Sequence, residues 1–136
     1  MITTQAAQDF LGANFAEWIL DLNITITQMS ANGATLEIPI HPHIERVGGI
    51  VSGQALSSLA DTAMVFACIS ALDAFVPVAT TNLETRFLSG AKGDRIICDA
   101  QVVKKGRSLI FCEASMIALP SDKPVARASA TFFVPN

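Results

Sequence analysis

The sequence is poor in charged residues. They make up 15% of its 136 residues, well below the roughly 25% of an average globular chain, whereas hydrophobic residues make up 51%. A hydrophobic content this high excludes intrinsic disorder. It supplies the core of one domain, which we expect to span residues 1–136. The scarcity of charge indicates that a partner subunit covers part of the surface.

Basic residues are absent before Arg46, and the net charge is −3. This balance gives no general electrostatic reason to bind nucleic acid. A secretory signal needs a basic segment before its apolar stretch, which this sequence lacks. The longest apolar run is also far shorter than the roughly 20 residues that cross a bilayer. We therefore expect a soluble, cytoplasmic protein with no nucleic-acid or membrane partner.

Few residues are suited to binding a metal. Cys68, Cys98 and Cys112 are odd in number and widely spaced, which argues against a disulfide framework or a thiolate zinc site and fits buried thiols in a reducing compartment. His41 and His43 are the only histidines, and their two-residue spacing in a loop without an acidic cluster is a poor metal signal. We expect no metal and no cofactor.

Hydrophobic periodicity predicts an α+β chain. Apolar residues at helical spacing predict a short N-terminal helix over residues 4–21, interrupted near Gly12, for which core packing is a sufficient explanation. Alternation predicts a β-hairpin over 24–40. Gln54–Ala71 has no Gly or Pro and is apolar around most of its circumference, so we expect a main helix that a sheet wraps. Four alternating segments predict antiparallel strands: 78–88, 95–105, 108–119 and 124–134.

Asp61 is an isolated carboxylate near the middle of the main helix. A carboxylate among apolar and small residues must be solvated, paired or functional, and no Lys or Arg lies one turn away. Ser57, Ser58 and Thr62 share its side of the helix and form a polar stripe that could face a cleft. The competing interpretation is an acid held by hydrogen bonds in the core or at a subunit seam. Spacing alone favours neither interpretation.

Glycines flank the start of the main helix. Near Gly49 and Gly53, unpaired backbone N–H groups and the positive end of the helix dipole favour an anion or a developing oxyanion. The alternative is a flexible entry into the helix, capped by Ser52. Ser52 also lies one position too late for the G-x-S-x-G nucleophile elbow, so a serine hydrolase is disfavoured.

The segment 52–68, SGQALSSLADTAMVFAC, closely resembles the central helix of hotdog-fold acyl-CoA thioesterases of the phenylacetate-degradation type. These proteins share a pattern like N-x-x-G-x-x-H-G-G followed by L-x-D-T-A. The runs FLSGAKGD at 87–94 and KGRS at 105–108 resemble the family's strand end and hairpin, so the resemblance covers roughly residues 34–134. The residues that match the helix pattern are Gly49, Gly53, Leu59, Asp61, Thr62 and Ala63.

The resemblance implies a hotdog fold, in which a curved antiparallel sheet wraps a long central helix. It also implies homodimers with active sites at the subunit interface, often paired as dimers of dimers. It makes Asp61 the catalytic carboxylate and makes the Gly53 N–H the group that polarises the thioester carbonyl. A hydroxyl from the other subunit, on Thr80 or Thr81, completes the site. Such a reaction needs a base for water attack and a preorganised donor for the oxyanion.

The chain departs from the family's pattern in two segments. Ser52-Gly53-Gln54 stands where His-Gly-Gly is usual, and Arg46 stands where Asn is usual, so the mechanism or the substrate can differ. Lys104, Lys105 and Arg107 lie at the tip of a predicted hairpin. Such a basic tip is most often a solvated turn, but if the ligand is an acyl-CoA, the tip is a candidate for binding the coenzyme A phosphates. The predicted substrate contacts are Arg46, Gly49, Ser52, Gln54, Ser57, Ser58, Lys104, Lys105 and Arg107.

Three functions are weighed on these residues. The first is an acyl-CoA thioesterase in which Asp61 activates water or attacks directly to form a mixed anhydride. The second is a non-catalytic acyl-CoA-binding module, regulatory or accessory, with the same fold. The third, a hotdog hydratase, is disfavoured because both histidines precede Asp61 in the sequence. We expect the thioesterase.

Overall fold

The computed structural model describes residues 1–136. It has three α-helices, eight strands and a short 3-10 turn at Pro42–Ile44, and it confirms the predicted main helix, hairpin and four later strands. The helices are α1 (Thr4–Asn14), α2 (Glu17–Leu20) and α3 (Gly53–Leu72). The strands are β1 (Thr25–Ser30), β2 (Gly33–Pro39), β3 (Glu45–Arg46), β4 (Ile50–Val51), β5 (Ala79–Phe87), β6 (Arg95–Lys105), β7 (Leu109–Leu119) and β8 (Lys123–Phe133).

Six strands form one sheet in the order β1-β2-β6-β7-β8-β5, and β3 and β4 form a separate ribbon. Every neighbouring pair in the sheet is antiparallel. The alternation seen in the sequence sets which face is buried: on β7, Ile110, Cys112, Ala114 and Met116 point into the core. Register shifts interrupt the β1–β2, β5–β8, β6–β7 and β7–β8 ladders, and such bulges bend a sheet. The sheet wraps around α3.

Helix α3 is the centre of the core, and 12 of its 20 residues are buried. Ser52 caps its start, because the Ser52 Oγ accepts a hydrogen bond from the Ala55 N–H at 3.2 Å. Asp73, in the left-handed conformation with φ 51°, ends it. By length and composition α3 could cross a membrane, with a mean hydropathy of 1.6, but 67% of that window is buried inside the fold. Its apolarity is that of a core helix.

The N-terminal helical segment breaks later than predicted. Gly12 lies inside α1 on an exposed side with open space around it, so nothing forces a break there. The chain instead leaves the helix at Phe15, whose backbone is extended with φ −88° and ψ 156°. This turn lets the Phe15 ring stack on Phe66 of α3, with ring centroids 5.6 Å apart. The break is set by this tertiary contact.

Candidate active site

Asp61 lies midway along α3, at the wall of a cavity of about 570 Å³. The cavity is an open cleft bounded by α1, α2, one face of α3 and the segment that enters β5. Asp61 is the only charged residue among those that line it. The lining residues are Phe10, Asn14, Phe15, Ala16, Trp18, Ile19, Ser58, Asp61, Thr62, Val65, Ile69, Val76, Pro77, Val78 and Thr80.

The Asp61 carboxylate has one hydrogen-bond partner. The Thr80 hydroxyl donates to Asp61 Oδ1 at 2.9 Å. Burial raises the pKa of Asp61 above its ordinary value, and the hydrogen bond from Thr80 lowers it by a smaller amount. A carboxylate with a raised pKa is a stronger base than a solvated one, as general-base catalysis requires.

The Thr80 hydroxyl that reaches Asp61 belongs to the same chain, whereas the resemblance implies a hydroxyl from the other subunit. A hydroxyl contributed by the other subunit stays a prediction. The Thr81 hydroxyl donates instead to the Thr131 carbonyl of β8 at 3.1 Å, at the point where the register between β5 and β8 shifts. Of the two threonines, the structure brings only Thr80 to Asp61.

The residues of the predicted polar stripe on α3 do not all face the same part of the structure. Ser58 and Thr62 line the cavity with Asp61, and each donates its hydroxyl at 2.8 Å to the backbone carbonyl one turn earlier. Ser57 donates instead to Thr85 Oγ1 of β5 at 3.0 Å. Ser57 therefore joins α3 to β5, and Ser58 is the serine that shares the cavity with Asp61.

The start of α3 presents unpaired backbone donors. The N–H groups of Gly53 and Gln54 make no hydrogen bond, because the Ser52 side chain accepts only from Ala55. These groups lie at the positive end of the helix dipole, where an oxyanion is stabilised. A Cβ added at Gly53 would meet Phe87 Cζ at 3.1 Å, so this position is closely packed.

Gly53 and Arg46 line a second cavity, of about 310 Å³, that Asp61 does not reach. The Arg46 Nη1 donates to the Val47 carbonyl at 2.6 Å, and Gly49, with φ 73°, forms the turn between β3 and β4. At about 1.5 Å per residue, Gly53 and Asp61 lie about 12 Å apart along the helix axis. The two groups of one chain therefore cannot act on the same carbonyl.

The remaining predicted contacts lie elsewhere. Gln54 lines a small cavity beside His43 and Trp18, of about 220 Å³. Lys105 Nζ donates to the Ala71 carbonyl at 3.4 Å, where a cation stabilises the C-terminal end of α3. Lys104 and Arg107 are exposed, and no residue of this hairpin lines the cavity of Asp61. A role for the hairpin in binding phosphates stays a prediction.

The three cysteines are buried and free. The Sγ atoms of Cys68 and Cys112 are 3.6 Å apart. This contact, together with burial, raises the pKa of Cys68, and burial raises the pKa of Cys98. Thiols with raised pKa values stay protonated and are poor nucleophiles, so Cys68 and Cys98 are not candidate nucleophiles.

The sequence analysis missed the N-terminal wall of the Asp61 cavity. Phe10, Phe15 and Trp18 were assigned to core packing, yet all three line the cavity. Trp18 remains 62% exposed, which a buried packing residue would not be. Their helical spacing fits both roles, so the sequence contains no signal that separates the two.

Comparison with known proteins identifies the class of this protein. The sequence model of the thioesterase superfamily matches residues 48–125, more than half of the chain, and the chain belongs to this superfamily. A search of curated protein sequences finds no significant match.

Solved structures show the same fold. The PaaI protein from the phenylacetic acid degradation operon of E. coli is 22% identical with a TM-score of 0.85, over 97% of this chain and 92% of that chain. Zebrafish thioesterase superfamily member 2 is 18% identical with a TM-score of 0.87, over 99% of this chain and 100% of that chain. A thioesterase from Haemophilus influenzae is 15% identical with a TM-score of 0.88, over 100% and 92%. The predicted hotdog fold is confirmed.

Proposed function

We propose that this protein is an acyl-CoA thioesterase, which hydrolyses a thioester to a free acid and coenzyme A. Membership of the thioesterase superfamily supports thioester hydrolysis in general. The observation that carries the proposal for this chain is Asp61, the only charged side chain of a mostly apolar cavity. Its raised pKa and its hydrogen bond from Thr80 suit a base held in place beside a substrate.

The carboxylate supports two routes. In the first, Asp61 removes a proton from water as the water oxygen attacks the thioester carbonyl carbon. In the second, Asp61 attacks that carbon itself, and water then hydrolyses the mixed anhydride. In both, the C–S bond breaks and the coenzyme A thiolate leaves and takes up a proton that water supplied. Transfer of labelled oxygen from water into Asp61 is expected only for the second route.

Each active site in this proposal is assembled from two chains, because Gly53 and Asp61 of one chain lie about 12 Å apart along α3. A two-fold axis that sets two copies of α3 antiparallel brings Gly53 of the partner subunit to Asp61. Strand β5 supports such a dimer: it pairs on one side only, and none of its nine residues is buried. Unpaired strand edges are normally covered, paired or protected by charge. Pairing of dimers into tetramers stays a prediction.

We expect a dimer in solution, with twice the 14.4 kDa mass of the chain. Leu83 is 38% exposed on β5, so Leu83→Asp would place charge at the dimer contact, giving a folded monomer without turnover. Glu84→Gln, on the opposite face of the same strand, should stay dimeric and active. Light scattering and thiol release measure the two properties. A wild-type protein that is active as a monomer contradicts the shared site.

Thr80→Val should move the acid limb of the pH profile to higher pH. The substitution keeps the shape of the side chain but removes the hydrogen bond that lowers the pKa of Asp61. The pKa therefore rises further, and because the deprotonated carboxylate is the active form, kcat/KM begins to fall at a higher pH. Thr80→Ser keeps the hydroxyl and should keep the wild-type profile. If the acid limb of the Val variant were identical to that of the wild type, Thr80 would have no part in the mechanism.

The second candidate function is an acyl-CoA-binding module without catalysis. Arg46 and Ser52 favour it, since they stand where the resembling thioesterases usually have Asn and His. Saturable binding of acyl-CoA with no release of thiol identifies this function, and thiol release above the uncatalysed rate excludes it. We also propose that the protein works in the cytoplasm, which its three free thiols support.

A further inference from the structure

The cavity beside Asp61 changes from polar to apolar along α3. Apart from the adjacent pair Asp61 and Thr62, the α3 residues that line it are three or four positions apart, so they lie on one face of the helix. The first three are polar and the last two are apolar. In chain order they are Ser58, Asp61, Thr62, Val65 and Ile69. A thioester whose carbonyl lies at Asp61 therefore has an apolar channel open toward the C-terminal end of α3.

The wall opposite this channel is formed by α1 and α2. Phe10, Phe15, Trp18 and Ile19 line it, and Asn14 is its only polar side chain. All of these residues precede the range that the superfamily model matches, 48–125. This wall therefore lies outside the part of the chain that the superfamily's sequence model matches, and it is a place where one member can acquire its own substrate preference.

The wall is held in a fixed position. The Gln8 side chain donates to the Ile24 carbonyl at 2.9 Å and accepts from the Ile26 N–H at 2.8 Å, which fastens α1 to the edge strand β1. The Phe10 ring stacks on Phe75 at 4.6 Å, between ring centroids, and the Phe15 ring stacks on α3. A wall fixed at these points gives a preformed cavity, as small-molecule sites usually have.

The dimensions of the channel indicate the shape of the acyl group. From Asp61 to Ile69 the helix advances about 12 Å, and an extended chain of C–C bonds near 1.5 Å covers this length with about ten carbons. One aromatic ring would fill only the first part. No charged side chain faces the apolar half, so a charged acyl group would lose its hydration without compensation.

We propose that α1, α2 and the apolar half of the α3 face form an acyl pocket for an unbranched hydrocarbon acyl group of about eight to twelve carbons. The carbonyl lies at Asp61 and the tail extends toward Ile69. This inference rests on the proposed thioesterase function and adds the substrate class. Trp18, the only tryptophan of the chain, lines the pocket and reports on its occupation.

The first test measures binding without hydrolysis. Alkyl thioethers of coenzyme A cannot be hydrolysed, and Trp18 fluorescence should change on adding them but not on adding coenzyme A alone. Each methylene that leaves water strengthens binding by about fourfold, so burial of only about three of the six extra methylenes makes the decyl thioether bind at least about 50-fold more tightly than the butyl thioether. Equal affinities for the two thioethers would overturn the pocket.

The second test fills the channel. Val65→Phe places a ring between Asp61 and Ile69, so kcat/KM for decanoyl-CoA should fall at least about tenfold while that for butanoyl-CoA changes less than about twofold. Val103→Phe is the matched control, because it makes the same substitution on an exposed strand position outside the cavity. If Val65→Phe fails to fold, Val65→Ala widens the channel and should move the preference to longer chains.

The outcomes separate this inference from the proposed function. Decyl thioether binding that changes Trp18 fluorescence, without hydrolysis of any thioester, ends the proposed catalysis and keeps the pocket. Hydrolysis with equal kcat/KM for butanoyl-CoA and decanoyl-CoA, or with preference for benzoyl-CoA, keeps the catalysis and overturns the pocket. A Val65→Phe variant that loses both substrates equally, while Val103→Phe loses neither, also overturns the assignment of the tail to this channel.

Discussion

Asp61→Asn should lower kcat/KM for acyl-CoA by about 10² to 10⁴, the usual cost of losing a general base. The amide has the shape of the carboxylate, and its oxygen can still accept the hydrogen bond from Thr80. It cannot remove a proton from water, and it is not a nucleophile. Thiol release from acyl-CoA measures the effect. Turnover in the Asn variant equal to that of the wild type would exclude both routes proposed for Asp61.

The same variant should be at least as stable as the wild type at neutral pH. Because burial raises the pKa of Asp61 from its ordinary value of 3.8, the folded chain binds the proton more tightly than the unfolded chain does. Stability therefore falls as the pH rises from that value through the raised pKa. Asn carries no charge and avoids this loss. Urea unfolding of the wild type and the variant measures this difference in stability. An Asn variant that is both inactive and less stable would favour a structural role for Asp61.

Gly53→Pro should lower kcat by about 10² to 10³, the cost of removing one oxyanion donor. Proline removes the N–H at the first position of α3, where its fixed φ suits a helix. The preceding residue, Ser52, is already extended with ψ 149°, the conformation that a following proline requires. The substitution therefore removes a donor and keeps the helix.

Gly53→Ala is the control for this substitution. Both variants add a Cβ that meets the Phe87 ring, 3.1 Å from its Cζ atom, but only Ala keeps the N–H. The ratio of their kcat values for acyl-CoA isolates the contribution of the hydrogen bond from that of packing. Equal kcat values in the two variants would show that the Gly53 N–H does not stabilise the oxyanion.

Much of the fold follows from local patterns in the sequence. Alternation on β7 and over residues 126–132 of β8, and the absence of Gly and Pro from 54–71, predict those elements because each buried face repeats with the period of its backbone. The break near Gly12 was predicted wrongly, since glycine permits a break but does not require one. The contact of Phe15 with Phe66 sets the break at Phe15, and contacts between distant residues are not visible in local periodicity.

The sequence predicts a site residue where its side-chain chemistry differs sharply from that of its neighbours. Asp61 stands out because a carboxylate is costly on an apolar helix. The choice between Thr80 and Thr81 depends on a register shift between β5 and β8, next to Thr80, which no spacing rule contains. The role of Trp18 depends on where α2 packs, and its helical spacing is the same for a core residue and for a cavity wall.

Mixing the two inactive variants tests the central claim, a thioesterase site built from Asp61 of one chain and Gly53 of its partner. Asp61→Asn and Gly53→Pro chains are unfolded together in equal amounts, refolded, and assayed for thiol release. Random pairing makes half of the dimers mixed. In a mixed dimer, Asp61 of the Gly53→Pro chain meets Gly53 of the Asp61→Asn chain in one intact site, and the other site carries both substitutions. About a quarter of the wild-type activity should therefore return. Activity no higher than the average of the two separate variants would contradict the shared site.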